Sequence, residues 1–526
     1  MDRAAAQPRR ASIRLIALVP ILLFLAIAAW TVASPVGSAP GERTTLTNVW
    51  CSLGDRSGLC ADGSSDTPQV PKQVATADCF AGSPRITANC QDLTGGLTPA
   101  TGIAQAYESP KLYAAVAGLL ASHSVEASVI AIRLLNVLLF MGIGTVVFVL
   151  LSPRRRMNMV LTWFVVLTPL GIFTVASAAS LSWVVTGCTT AWFATLGAVE
   201  STGRRKTVLG VLAVIGVALA SAGGLSFGLI AAMAAATALI CADRAEHPAD
   251  RRPLMRVATC VIVAAALIVV IAGPAASRTW QNGLPLGTHA AGAGLLINNL
   301  LSTPSLWFGA FGAGPRGADA WTSFSPPYVA QASGIAIFIG LLTVGLFRPS
   351  RRRVAALTAW VAVLLFWPAL ILQGMHDAIG NRIEPQQLFP ALIILVAVAT
   401  SVGASAHTLT RSQLVFIGIG SVAATVTTLY MLIRRFTVAD PYDFRFDFGQ
   451  SVAWWWRGLP VGPMPIWVLG ALAFAAAVIM IAFYLARFTG SGSRQSGPRS
   501  AQRRQRIGTG FRPPTAPRPR RIEAGQ

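Results

Sequence analysis

Charge is the scarcest property of this 526-residue chain: 12% of residues are charged, and 20 acids face 42 bases. With 54% of residues hydrophobic, so few charges cannot solvate the surface of a soluble protein, and that class is excluded. Histidine is also rare, at five, and none lies between Ser34 and Lys111, where four of the seven cysteines fall. That segment has no CxxC pair either, so it lacks the usual spacing of a zinc site. No Walker A sequence and no HExxH occurs, and no dinucleotide fingerprint follows a strand, which removes several soluble enzyme families. No motif requires a cofactor; a divalent metal stays open as an expectation, although no cluster of ligands is visible. The apolar runs contain almost no ionisable residue, and no repeat relates the two halves, which argues against ion-coupled transport.

What the chain has instead is length of apolar sequence. Mean hydropathy is +0.59, and runs near the ~20 residues needed to cross a bilayer recur throughout. Spans are expected near 13–33, 125–151, 158–179, 182–200, 207–222, 225–242, 257–275, 328–347, 354–372, 388–406, 413–433 and 465–486. Together they predict an all-α polytopic membrane protein with about 12 transmembrane helices. The net charge of +22 sits in short clusters between them, such as Arg154-Arg155-Arg156, Arg204-Arg205-Lys206 and Arg351-Arg352-Arg353. This positive-inside pattern reports orientation rather than nucleic-acid binding. On this map the cytoplasmic segments hold 29 of 42 bases and 6 of 20 acids, and both termini are cytoplasmic in a plasma (inner) membrane. Arg434 and Arg435, at an outer end, run against the rule. Residues 1–12 form a short cytoplasmic N-terminus, and the run at 13–33 reads as an uncleaved anchor. The Arg-, Pro- and Gly-rich tail at 487–526 is expected to be disordered against anionic lipid.

Function is expected on the outer face, where the loops 34–124, 276–327, 373–387 and 434–464 are long. The first holds Cys51, Cys60, Cys79 and Cys90 and is expected to be disulfide-bonded in an oxidising compartment. Four cysteines allow three pairings, and local closure as Cys51–Cys60 and Cys79–Cys90 is the simplest. The segment 112–123 is apolar but too short to cross, so it reads as an interfacial helix before the span at 125, or as the start of one long bent helix. The run 295–311 reads as a re-entrant or interfacial helix. Tyr113, Trp454 and Trp455 belong to an interfacial aromatic belt or to a platform that stacks a substrate.

Five stretches carry a resemblance to a known family. They are Pro40-Gly41-Glu42, Cys79-Phe80 to Cys90, Glu108 to Tyr113, Phe308 to Gly312, and Gln386-Gln387-Leu388-Phe389-Pro390. In order and spacing they resemble uncharacterised actinobacterial multi-pass membrane proteins, a domain of unknown function distantly similar to the GT-C glycosyltransferases. That family carries Pro-Asp-Glu after its first span, with a histidine three residues on; here Gly41 replaces the Asp and Thr45 the histidine. The resemblance implies a GT-C-like transferase that moves sugar from a polyprenyl-phosphate donor to an envelope glycan. Under it Glu42 is the catalytic base, with Glu108 the second candidate, because a carboxylate can take the acceptor's proton. Arg382, with Asn381 and His376, would hold the donor phosphate. The rival is a non-enzymatic membrane protein: a transporter, a flippase or an envelope-assembly partner. Partners in either case are membrane lipids and envelope components, with no nucleic acid.

Overall fold

The basic clusters at 154–156, 204–206 and 351–353 each start a helix. The computed structural model describes residues 17–39, 41–61, 67–77, 79–81, 83, 85–91, 95–100, 111–242, 292–313, 324–346, 350–380, 383–401, 409–438, 446–447, 454–456, 458 and 460–491, of which 74% are helical. α1 (Val19–Val32) leads into a cap made of α2 (Glu42–Cys51), α3 (Lys72–Ala75), α4 (Lys111–Gly118) and an antiparallel pair, β1 (Gln69–Pro71) with β2 (Leu97–Pro99). The bundle follows as α5 (Val125–Leu150), α6 (Pro153–Val166), α7 (Pro169–Val175), α8 (Leu181–Val199), α9 (Gly203–Ser221) and α10 (Leu225–Cys241). It continues as α11 (Ala293–Gly309), α12 (Tyr328–Leu346), α13 (Arg351–Gly374), α14 (Pro385–Thr400), α15 (Arg411–Thr437) and α16 (Pro463–Ser491).

Every expected span overlaps one of these helices except 257–275, which lies outside the described residues, as does the tail beyond 491. Twelve complete crossings are nevertheless more than the described helices reach. By length and hydropathy four can cross a membrane, namely α5, α13, α15 and α16, and the bent pair α6–α7 makes a fifth. Length is the reason at α1 and α14, which have 14 and 16 residues where a crossing takes about 20. α14 is buried along almost its whole surface, so protein rather than lipid surrounds it. α6 and α7 meet at 92°. Pro169 opens α7, and a residue before proline is steered out of helical geometry, so Thr168 is extended at ψ 158°.

Contacts between helices fix their directions. α8 and α9 lie antiparallel: the built Cβ of Gly197 meets Leu209, and that of Gly187 would fall 2.4 Å from the Gly216 carbonyl oxygen. Small residues let these backbones touch, as membrane helices require when lipid is as apolar as leucine. The starts of α6, α9, α13 and α15 carry the bases, and this basic end holds a partly buried ion pair, Arg155 with Glu200 at 2.5 Å. The opposite end carries the cap.

Within the cap the cysteines pair as Cys51–Cys60 and Cys79–Cys90. Each closes a short loop and contributes on the order of 2–3 kcal/mol by restricting the unfolded chain. α4 ends at Gly118, and a separate helix begins at Val125, so the segment before the long span is not one bent helix. The run 295–311 is helical as α11. Arg435, at the cap end of α15, donates from Nη1 to the carbonyl of Ile86 and from Nη2 to those of Phe80 and Ser83. Arg435, one of the two arginines that break the charge rule, therefore has a task there: it fastens the Cys79–Cys90 loop to the bundle.

The α8–α9 contact predicts an asymmetry between glycines. Gly187→Ala should lower the stability of the purified protein by about 1–3 kcal/mol, the cost of overpacking. Gly210→Ala, where a Cβ meets nothing within 4 Å, should be neutral or slightly stabilising. Thermal denaturation in nanodiscs reads both, and equal effects would contradict this packing.

Candidate functional site

The polar centre of the molecule lies where the end of α1, the start of α2, α5 and the α7–α8 break meet. Gly41, at φ +76°, supplies the left-handed turn that starts α2 and points Glu42 inward. Glu42 and Arg133 are both 0% exposed. Arg133 Nε donates to Glu42 Oε1 at 2.7 Å and Nη2 to Oε2 at 2.6 Å, a bidentate pair. The backbone N–H of Ala178 donates to Oε1 at 2.6 Å and that of Gly37 to Oε2 at 3.2 Å. Four donors thus fill the roughly four lone-pair sites of the carboxylate.

The guanidinium is equally saturated. Nη1 donates to the carbonyls of Thr31 and Ser34 at 2.7 and 2.8 Å, and Nη2 to that of Pro35 at 2.9 Å. With the two bonds to Glu42, all five N–H groups of Arg133 are used. Thr31 lies in the last turn of α1, so a cation also sits where that helix leaves carbonyls unpaired. Trp456 closes the other side: its ring centroid is 5.9 Å from the guanidinium carbon, and its Nε1 donates to the Val32 carbonyl at 2.7 Å.

One turn further along α5, Asn136 extends the network. Its Nδ2 donates to the Ser177 carbonyl at 2.7 Å and to the Tyr113 hydroxyl at 3.1 Å, and its Oδ1 accepts from Trp183 Nε1 at 2.9 Å. Tyr113 is fully buried, edge-on to Trp183 at 5.2 Å, and burial pushes its hydroxyl pKa up. It packs α4 onto the bundle and has no ring face open to a ligand.

The remaining sequence candidates divide. Glu108, Asn381 and Arg382 lie outside the described residues. His376 follows α13 in the left-handed region at φ 55°, where Asp377 N–H donates back to the Leu372 carbonyl at 3.0 Å, a helix-closing turn usually given to glycine. Asn299 of α11 pins that turn, donating to the Asp377 carbonyl and accepting from Ile379 N–H. Glu42 draws four donors from residues 37, 133 and 178, and none from the described residues of the loop after α13. Trp454 and Trp455 lie close together, with centroids 4.7 Å apart and planes tilted by 41°. Among the described residues no group of three His, Cys, Asp or Glu could hold a metal ion. A recess between α5, α6 and α8, lined by Phe140, Met159, Trp163 and Thr190 among others, has a volume of about 10 Å³, room for one water.

Arg133 lies near the outer end of the span expected at 125–151. Its carboxylate lies 91 residues earlier, and only the hydrophobic setting of a lone arginine hinted that it needed one. Gly224-Leu225-Ser226-Phe227-Gly228 has the spacing of a nucleophilic serine elbow, yet it joins α9 to α10 rather than a strand to a helix.

The chain belongs to the family described as Predicted membrane protein (DUF2142), whose model matches residues 22–384. That match takes in Glu42, Arg133 and the turn at His376. No curated protein and no solved structure matches the chain.

The saturation of the pair sets its expected energetics. Arg133→Leu strands a buried carboxylate and should cost about 3–5 kcal/mol. Glu42→Gln keeps the shape but leaves the Arg133 charge uncompensated and sets an NH2 against N–H donors, so it should also cost about 3–5 kcal/mol. Thermal denaturation with non-reducing peptide mapping of the cap reads both, and a wild-type melting profile for Arg133→Leu would refute the pair's structural role.

Proposed function

We propose that this integral membrane protein works in the cell envelope as a non-enzymatic assembly partner, built on a GT-C-like frame but without that frame's reacting acid. On this reading the chain crosses an actinobacterial plasma membrane about twelve times, with both termini cytoplasmic and the cap outside. One observation carries it: the carboxylate of Glu42 is dry and fully subscribed. A general base must reach the proton it takes, with a lone pair to receive it. Glu42 has neither access nor a free lone pair, and opening it would strand Arg133 in an apolar bundle. The position before it, where the resembled family carries an Asp, is Gly41.

The transferase reading keeps one point in its favour. Glu42 opens the first helix beyond the first span, where such an enzyme would place its acid beside a lipid phosphate. The His376 turn, with Asn381 and Arg382 beyond it, would then hold the donor, and Glu108 would be the reserve acid.

Transfer of radiolabelled sugar from polyprenyl-phosphate donors, in membranes carrying wild type or Glu42→Gln, separates the two. We expect no transfer above background from either, and co-purification of envelope proteins with the wild type. Transfer by the wild type that Glu42→Gln abolishes, with the cap disulfides intact, would overturn the proposal. The orientation has its own test: reporter fusions after Arg156, Lys206 and Arg353 should read cytoplasmic and a fusion near Cys60 external. A cytoplasmic cap would end both readings.

A further inference from the structure

Four helix ends converge at one corner of the basic end, those of α5, α6, α8 and α9, and the charge there is unbalanced. Between Leu150 and Val208 the chain carries six bases and one acid, Glu200. Arg155 takes that acid, with Nε at 2.9 and 3.0 Å and Nη2 at 2.5 Å from its carboxylate oxygens. Arg156 donates from Nε to the Phe148 carbonyl at 2.9 Å and from Nη2 to that of Val149 at 2.7 Å. Arg205, in the first turn of α9, donates from Nε to the next carbonyl along, that of Leu150. Two arginines from two different helices thus cap the last turn of α5. Neutral carbonyls hold these cations in place without cancelling their charge.

Arg204 and Lys206 flank Arg205 and are exposed, and among the described residues neither has an acidic partner. No acid lies in the first turn of α6 or α9, where a helix end already carries positive partial charge. Cations gathered at such an end repel one another, so one anion placed among them relieves several like-charge contacts at once. Water and counterions are enough for an isolated base in a loop. Arginines fastened beside further bases form a fixed face instead, and guanidinium geometry matches phosphate.

The surface next to the charge decides the class of anion. Val149, whose carbonyl Arg156 binds, is 61% exposed. Val208 follows Lys206 by two residues, and Val211 and Val214 continue the outward face of α9 at 54% and 70% exposed. A free phosphate gains nothing from such a surface. A phospholipid carries its phosphate one glycerol away from its acyl chains and can meet bases and valines together. We propose that the corner between the end of α5 and the start of α9 docks an anionic phospholipid, its phosphate on Arg204, Arg205 and Lys206 and an acyl chain along Val208, Val211 and Val214. This site goes beyond the assembly role and does not depend on which face of the membrane the basic end meets.

The test is native mass spectrometry of the full chain in detergent, titrated with dioleoyl-phosphatidylglycerol or dioleoyl-phosphatidylcholine. Phosphatidylglycerol should stay bound under conditions that strip phosphatidylcholine. The double variant Arg204→Gln/Lys206→Gln should weaken the tightest phosphatidylglycerol binding about tenfold. Arg351→Gln/Arg352→Gln removes the same charge from the start of α13, where both residues are also exposed, and should leave that affinity unchanged. Equal retention of the two lipids would overturn the proposal. So would an equal loss in both double variants, which would show surface charge in general rather than a site. Displacement of the lipid by glycerol 3-phosphate at equal concentration would overturn it too, because the acyl chain would then contribute nothing.

Discussion

A carboxylate and a guanidinium, both shut away from water, join the cap of this molecule to its bundle. Removing such ions from water costs several kcal/mol each, and their attraction offsets it only when every remaining donor and lone pair is satisfied. The Glu42–Arg133 pair meets that condition on both sides. The groups that complete it are the last turn of α1, the turn from Ser34 to Gly37, and the backbone at Ala178. Four chain segments must therefore arrive together before either charge is stable there. The pair acts as a register mark: a shift of α5 by one residue would leave two ions and several backbone groups unpaired. Asn136, one turn along the same helix, repeats the arrangement with neutral groups and ties in α4 through Tyr113.

The cap depends on that joint and adds fastenings of its own. Gln91 Nε2 donates to the carbonyls of Val36 and Ala77, bridging the chain just beyond α1 to the loop before Cys79. Arg56, inside the Cys51–Cys60 loop, donates to the carbonyls of Trp50 and Gly118. Arg435 reaches from α15 to three carbonyls of the other disulfide loop. In each case a long polar side chain satisfies backbone carbonyls that no helix or sheet could pair. That is how a segment with little regular structure is held in one conformation.

Much of this was legible in the sequence, and the legible parts share a cause. Helix positions follow from apolar run length, the basic end from arginine clusters, and the disulfides from closely spaced cysteines, all of which are local. What was not legible is relational. Glu42 reads locally as a loop acid beside a Pro-Gly turn, and the turn is real at Gly41, but it faces inward because Arg133 waits 91 residues away. Arg434 and Arg435 look like exceptions to a topological rule until the carbonyls of a disulfide loop appear beside Arg435. Tyr113 looks like a stacking residue because its interfacial position is visible, whereas Trp183 packed against its ring is not. The span count runs ahead of the described helices for a related reason: hydropathy registers apolar length, but a helix enclosed by other helices, like α14, does not need bilayer length.

The burial of Glu42 and the glycine before it are one structural fact. At φ +76° residue 41 lies where only glycine is free of strain, and a built Cβ there would stand 3.3 Å from the Cβ of Ala179. Ala179 follows the residue whose N–H binds Glu42, so the α7–α8 break that satisfies the carboxylate also crowds the neighbouring position. An acid at 41 would have to push that break away, loosening the donor at Ala178 and with it the pair. Tight seating of Glu42 and a reactive carboxylate at 41 are therefore in competition for the same space. This chain takes the first, and the gain is a cap locked to its bundle.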